Sequence, residues 1–336
     1  MKKTFIAAAL AMSFGLSAMA QTTNPLLERR FNTPHEIAPF SKITTDNYRE
    51  AYLLGMEEAK KEIDAIVNNP EAPTFENTIV ALDCSGSLLR RTAGVFGGLS
   101  RSCSTPEYQQ LESELSPLLS AHSDYINMNE ALFKRVKAVY DQQASLNLNT
   151  EQKRLLDKTY KGFVRGGALL DKAQKQRLSE INLQLAKLQL QFTQNLMHDT
   201  NQSYVTVDNI SDLEGLSEGD IQKAAALAER TGAKGKYRFN MQRPSCNPVL
   251  QYAKNRELRR QVYEMYNNRC NHNDQYDNKA ISAQIVALRL EEAKLMGYNT
   301  FADMQLETRM AKKPENVYNL LDQIWKPAVE AANREL

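Results

Sequence analysis

Apolar residues recur at intervals of three and four along most of this 336-residue chain, the spacing of one helix face. After an extended, proline-broken lead, "NPLLERRFNTPHEIAPFSKI", the pattern predicts helices over about 46–67, 75–100, 105–126, 130–144, 150–170 and 172–199. Start signals support these elements. Thr74 follows Pro73 and precedes Phe75-Glu76-Asn77, and Asn149 has Gln152 three positions on, a capping box that satisfies orphan amides. Asp171 to Asp199 carries two stripes, one of Leu178, Ile181, Leu185, Leu188 and Phe192, the other of Leu183, Leu190 and Met197. Two apolar faces require two packing partners, as inside a helix bundle.

The period changes to two around 204–241, where "SYVTVDNI" and "KYRFNM" alternate polar and apolar residues with β-branched and aromatic content. A small antiparallel sheet is predicted there, its strands separated by one helix that Ser217 caps and a glycine turn closes. Helices resume over about 247–268, 274–296, 299–306 and 314–336, with Pro314 suited to a first helical position. The chain is therefore expected to be mainly α with a small antiparallel β insertion near 204–241. It divides into 1–20, 21–200 and 201–336.

Lys2 and Lys3, the apolar run Phe5 to Leu16 and the small residues Ala18-Met19-Ala20 have the pattern of a secretory signal over residues 1–20. The run is too short for a bilayer, which needs about 20 apolar residues, and no cysteine stands at the cleavage point to take a lipid. A periplasmic or secreted location is expected, without membrane anchoring. At the other end Val317, Leu320, Leu321, Ile324, Trp325 and Val329 keep helical spacing, and no Gly, Pro or polar tail closes the pattern. The sequence is expected to stop within an element, and an isolated helical lobe of this kind to expose apolar faces, aggregate and bind hydrophobic dyes.

Lys and Arg number 42 against 40 Asp and Glu, so net charge gives no reason to expect a nucleic acid or anionic membrane partner. Cys84, Cys103, Cys246 and Cys270 are dispersed, with no C-x-x-C pair. They are read as buried or singly paired thiols, three pairings being open, and not as a thiolate metal centre.

A zincin site needs two His four apart on one helix face with an adjacent Glu to take the proton of the bound water. His35 begins "HEIAP", but Pro39 stands where the second His belongs. His122 with Asp124, and His198 with Asp199, have offsets of two and one, which point to different faces. "CNHND" from Cys270 to Asp274 gathers ligand types yet reads as a polar helix break. The glycines of "GVFGG", "RGGA" and "GAKGK" lack phosphate-loop spacing, and Ser245 beside Pro244 and Ser87 beside Gly86 lack a nucleophile-elbow context. Arg256, Arg259 and Arg260 with Tyr263 and Tyr266 form a basic, aromatic helix face, read as a solvated face beside a core stripe. No catalytic, substrate-binding or metal-ligating residue is assigned.

Several ordered blocks carry a resemblance. "PEAPTFENTIVALDCSGSLLRRTAGVF", "NEALFKRVKAVYDQQASLNLNTEQKRLLDKTYKGFVRGGALL", "NLQLAKLQLQFTQNLMHDT", "PSCNPVLQYAKNRELRRQVYEMYNNR" and "IVALRLEEAKLMGYNTFADMQLETRMAKKPENVYNLL" resemble the thimet oligopeptidase family of zinc metallopeptidases, most closely its bacterial peptidyl-dipeptidase (dipeptidyl carboxypeptidase) branch. The resemblance implies the helical lobe of a two-lobed enzyme with a deep channel. It further implies zinc held by H-E-x-x-H and a downstream Glu, and release of dipeptides from the C-terminus of short peptides. None of those zinc positions is in this sequence, so it is expected to be the N-terminal portion and inactive alone, with no zinc of its own. Two alternatives stand beside it: a non-catalytic peptide-binding or interaction module, and an oligopeptidase that cleaves internal bonds.

Overall fold

The computed structural model describes residues 24–336, and the predicted secretory signal lies outside the described residues. Helices follow one another from the N-terminal side as the apolar spacing predicts: α1 (Thr45–Val67), α2 (Ala81–Cys84), α3 (Ser87–Ser102), α4 (Pro106–Asn127), α5 (Glu130–Asp141), α6 (Thr150–Arg165) and α7 (Lys172–Gln202). Then come β1 (Tyr204–Val207), α8 (Glu218–Arg230), β2 (Tyr237–Asn240), α9 (Arg243–Tyr252), α10 (Arg256–Asn267), α11 (Lys279–Leu295), α12 (Phe301–Leu306) and α13 (Pro314–Glu335). β1 and β2 pair antiparallel, with Val205 opposite Phe239 and Thr206 opposite Arg238, so the β insertion is present and small. Among the described residues no helix is long and apolar enough to cross a membrane.

Local chemistry sets most boundaries. The Asn149–Gln152 box forms, with bonds of 2.9 and 3.0 Å, and Asp171 and Gln174 build another at the start of α7. Three predicted helices are corrected. The 75–100 segment is a π-helical turn, Phe75–Val80, running into α2 and then breaking, because Gly86 takes φ +68 and donates its amide to Glu62 at 2.6 Å. The 247–268 segment is two helices, since Asn255 caps α10 through the amides of Glu257 and Leu258. The helix predicted from 274 starts at Lys279, because Asp274 and Asp277 accept local amides and hold 274–278 as a loop.

Four apolar clusters hold the described residues together. One joins Ile63 and Ile66 of α1 to Leu132, Val136 and Val139 of α5 and to Leu156 and Phe163 of α6. A second gathers the N-terminal lead, α1, α3 and α4 around Leu26, Tyr48, Tyr52, Phe96 and Leu111. There α1 and α3 approach backbone to backbone: a Cβ on Gly55 would lie 2.9 Å from the Leu89 nitrogen. A third fills the space between the sheet and α8–α10. The fourth joins Ile181 and Leu185 of α7 to Ile281, Ile285 and Leu288 of α11. The two predicted stripes of α7 are explained by its partners, for α4 packs on one side and α11 on the other. Arg177 adds a bidentate pair to Glu291 at 2.6 and 2.9 Å.

α13 is different. It has no buried residue, and Tyr318, Leu320, Leu321, Ile324 and Trp325 are each more than half exposed. Its apolar stripe meets no core among the described residues.

Candidate functional site

One hollow among the described residues follows from side-chain size. Each helix turns a face of three- and four-residue spacing toward it: Ala93, Gly97 and Ser100 from α3, Ser116, Ser120 and Ser123 from α4, and Asn182 and Ala186 from α7. Small side chains facing one another leave the space unfilled, while Tyr52, Phe96 and Leu115 at its wall anchor the helices in the core. The result is a cleft of about 690 Å³.

Its polar groups fall into two sets. Asp124 and Arg165 are engaged. The Asp124 carboxylate accepts from Ser179 Oγ at 2.5 Å and Asn182 Nδ2 at 2.8 Å. Arg165 donates to the Met304 carbonyl at 2.6 Å and to Glu307 at 3.0 Å. Arg101, Glu112 and Glu292 also line the cleft, and their side chains make no hydrogen bond or ion pair with the described residues. Burial raises the Glu292 carboxyl above its usual range, against the opposing pull of Arg289 and Arg165. Burial also pushes Tyr52, beside Glu112, up to about 12.

A raised carboxyl pKa means that the folded protein binds the proton more tightly than the unfolded chain. Its stabilising contribution is therefore complete below the ordinary value of 4.5 and is lost as pH rises through the folded value. Glu292→Gln, which has no charge to desolvate, is expected to melt at a higher temperature than the parent at pH 7–8 and at the same temperature near pH 4. Thermal unfolding at the two pH values checks this, and a difference that does not change with pH would refute it.

The residues singled out from the sequence scatter. His35 sits exposed in a short 3-10 turn. His122 is buried on α4, its Nδ1 without a partner and its pKa lowered by burial and by Lys60, while Asp124 faces α7. His198 stacks on Tyr276 at 3.6 Å. Asp199 instead meets the "CNHND" loop, where the Cys270 amide donates at 2.7 Å and His272 Nε2 lies 3.1 Å away. Burial works to raise Asp199, but Cys270, Ser203 and His272 together hold it below the usual range. This tie joins α7 to the α10–α11 loop between residues 71 and 73 positions apart, a separation that no local spacing pattern encodes.

Arg260 is bonded to Glu257 and Glu264 on its own helix, and Arg259 to the carbonyls of Ala253 and Lys254. Arg260 is thus paired within its own helix, as on a solvated face. Ser245 accepts the Asn240 amide at 3.0 Å. All four cysteines are free, Cys84 and Cys103 exposed and Cys246 and Cys270 buried, which corrects the expectation of buried or paired thiols for the first two. Among the described residues no three His, Cys, Asp or Glu side chains gather to hold a metal ion. The residues present do not fit a zinc centre.

The cleft residues Arg101, Glu112 and Glu292 were missed. Their only sequence signal was the run of small residues at helical spacing, which does not say which charges lie beside it.

The profile of peptidase family M3 matches residues 249–336, from α9 to α13. The chain is 34% identical to dipeptidyl carboxypeptidase of Salmonella typhimurium over 307 residues, which cover 91% of this chain and 45% of that protein. It is 33% identical to the Escherichia coli dipeptidyl carboxypeptidase over 315 residues, 94% of this chain and 46% of the relative. To oligopeptidase A of Haemophilus influenzae it is 29% identical over 318 residues, with coverage of 94% and 46%. This mainly helical chain thus aligns with peptidases over nine-tenths of its length. Its residues 249–336 carry the match to peptidase family M3, and the ordered blocks of the remainder are similar to the same relatives. The chain spans less than half the length of the curated relatives it matches.

Proposed function

We propose that this chain is the N-terminal, helical part of an exported zinc peptidase that releases dipeptides from the C-terminus of short peptides. The observation that carries the reading is its similarity to two dipeptidyl carboxypeptidases, at 34% and 33% identity over 91% and 94% of the chain. On this reading residues 1–20 are the export signal. Residues 21–200 form the helical region, and residues 201–336 lead toward a catalytic region that the relatives' additional length supplies. The zinc ligands and the proton-shuttling Glu belong to that region, for H-E-x-x-H is absent from this sequence. No step of hydrolysis is assigned to the residues described above. The exposed stripe of α13 fits the same reading, since it offers the catalytic region an apolar surface to cover.

A second reading, a stand-alone peptide-binding module, is favoured by the cleft, which is built wholly from residues of this chain. A third, cleavage of internal bonds, is favoured by the match to oligopeptidase A.

Expression of the reading frame that contains this sequence decides among them. An open frame running into H-E-x-x-H, zinc-dependent dipeptide release from peptides with a free C-terminus and none from blocked ones is expected. Internal cleavage of blocked peptides would favour the oligopeptidase reading, and a frame closing after the Leu336 codon the binding module. Tight zinc binding and hydrolysis by residues 21–336 alone would overturn the proposal.

A further inference from the structure

The cleft has the dimensions of a ligand site. Its volume of about 690 Å³ falls in the range of roughly 300–1,000 Å³ typical of such sites. It runs along α4 from Glu112 to Asn127, a distance of about 22 Å at 1.5 Å per residue. An extended peptide rises about 3.3–3.6 Å per residue, so roughly six residues fit along that wall. The lining alternates apolar surface (Leu115, Leu119, Leu190) with hydroxyls and amides (Ser116, Ser120, Asn182), groups suited to a peptide backbone rather than to a purely apolar guest.

The two ends of the cleft differ in charge. α4 and α7 run in opposite directions, for Asp124 meets Ser179 while Gln194 reaches back to Gln109. Arg177 pairs with Glu291, so Glu292 belongs to the Asp124 end. Arg101 lies four residues before Thr105, the cap of α4, and so belongs with Glu112 at the other end. Arg101 and Glu112 are opposite in sign and select no charge. At the Asp124 end the nearby cations are occupied: Arg165 by Glu307 and a carbonyl, and Arg289 against the Phe301 ring at 5.1 Å. Glu292 is left partly buried without a donor, a state that a carboxylate tolerates poorly. An ammonium group offers three donors and a full positive charge.

We infer that the cleft seats a short peptide with its α-ammonium on Glu292 and its chain running along α4 toward Arg101. The inference rests on the reading of a peptide as the ligand and adds the polarity with which it lies.

Calorimetric titration of residues 21–336 with tetra-alanine, free or acetylated at its amino terminus, tests the assignment. The free peptide is expected to bind at least about ten-fold more tightly, the effect of one charge-assisted hydrogen bond. Glu292→Gln should abolish that difference and leave the affinity of the acetylated peptide unchanged. Ser120→Phe, which fills the cleft, should stop both from binding while the protein still melts cooperatively. Equal binding of the two peptides, or a difference that survives in Glu292→Gln, overturns the inference. Binding of neither peptide also overturns it, and leaves dipeptide release by the full reading frame to stand or fall on its own assay.

Discussion

Gly215→Ala is expected to destabilise the sheet-containing part of the chain by about 3–5 kcal/mol, among the largest effects of any single substitution. Gly215 has φ +99, where an L side chain is strained, and a Cβ there would lie 2.1 Å from the Tyr252 carbonyl oxygen. That oxygen belongs to the last turn of α9 and cannot swing away like a side chain. Around it the turn is clamped, with the Lys254 amide donating to the Glu214 carbonyl at 2.8 Å and Asn255 to Asp212 at 3.2 Å. Relief of the clash must therefore lift the turn, and with it Leu213, which is fully buried in the cluster shared by the sheet and α8–α10. Urea unfolding checks the value. The natural control is Gly97→Ala, on the cleft face of α3, where nothing lies within 4 Å of the added carbon and helix propensity predicts a gain of up to about 1 kcal/mol. Equal effects at the two sites would contradict this account.

The second large effect is on association. Leu320→Lys, Leu321→Gln, Ile324→Gln and Trp325→Lys, combined in residues 21–336, are expected to reduce hydrophobic-dye fluorescence several-fold and to abolish concentration-dependent self-association. Exposed apolar patches of more than a few hundred Å² drive such binding, and these four side chains are 59, 51, 54 and 71% exposed on one helix. Because none of them is buried, the melting temperature should scarcely change, and Gln and Lys are good helix formers. Dye titration and light scattering across a dilution series provide the readout. A parent protein that is monodisperse and dye-silent would show that the stripe is not a sticky surface.

The helices were legible where apolar spacing and a capping residue agreed. α7, predicted over 172–199, spans Lys172–Gln202, because Asp171 caps it and both stripes find partners. The strands were legible from alternation alone. The reading failed where backbone hydrogen bonds override periodicity. "CSGS" lies inside the helix that apolar spacing predicts over 75–100, yet Glu62 captures the Gly86 amide just after α2 ends. Ala253 to Asn255 kept the apolar period of 247–268, but the Asn255 side chain satisfies two amides and starts a new helix. The cleft was less legible than the fold, because a cavity is a property of what small residues on separate helices leave between them. Glu291 and Glu292 are neighbours of one kind in sequence, but Glu291 receives Arg177 and Glu292 faces the hollow. Only the rotation of α11 against α7 separates them.

The 31 residues of α7 extend about 46 Å, and their middle is clasped from both flanks. Amides around Ile181–Leu185 can exchange with solvent only when the contacts to α4 and α11 have both come apart, an opening close to complete unfolding. Those of α13 are protected by the helix alone and should exchange by simple fraying. A deuterium pulse should therefore label the chain from α13 inward, and the last protium to leave should mark the helix around which the others are assembled.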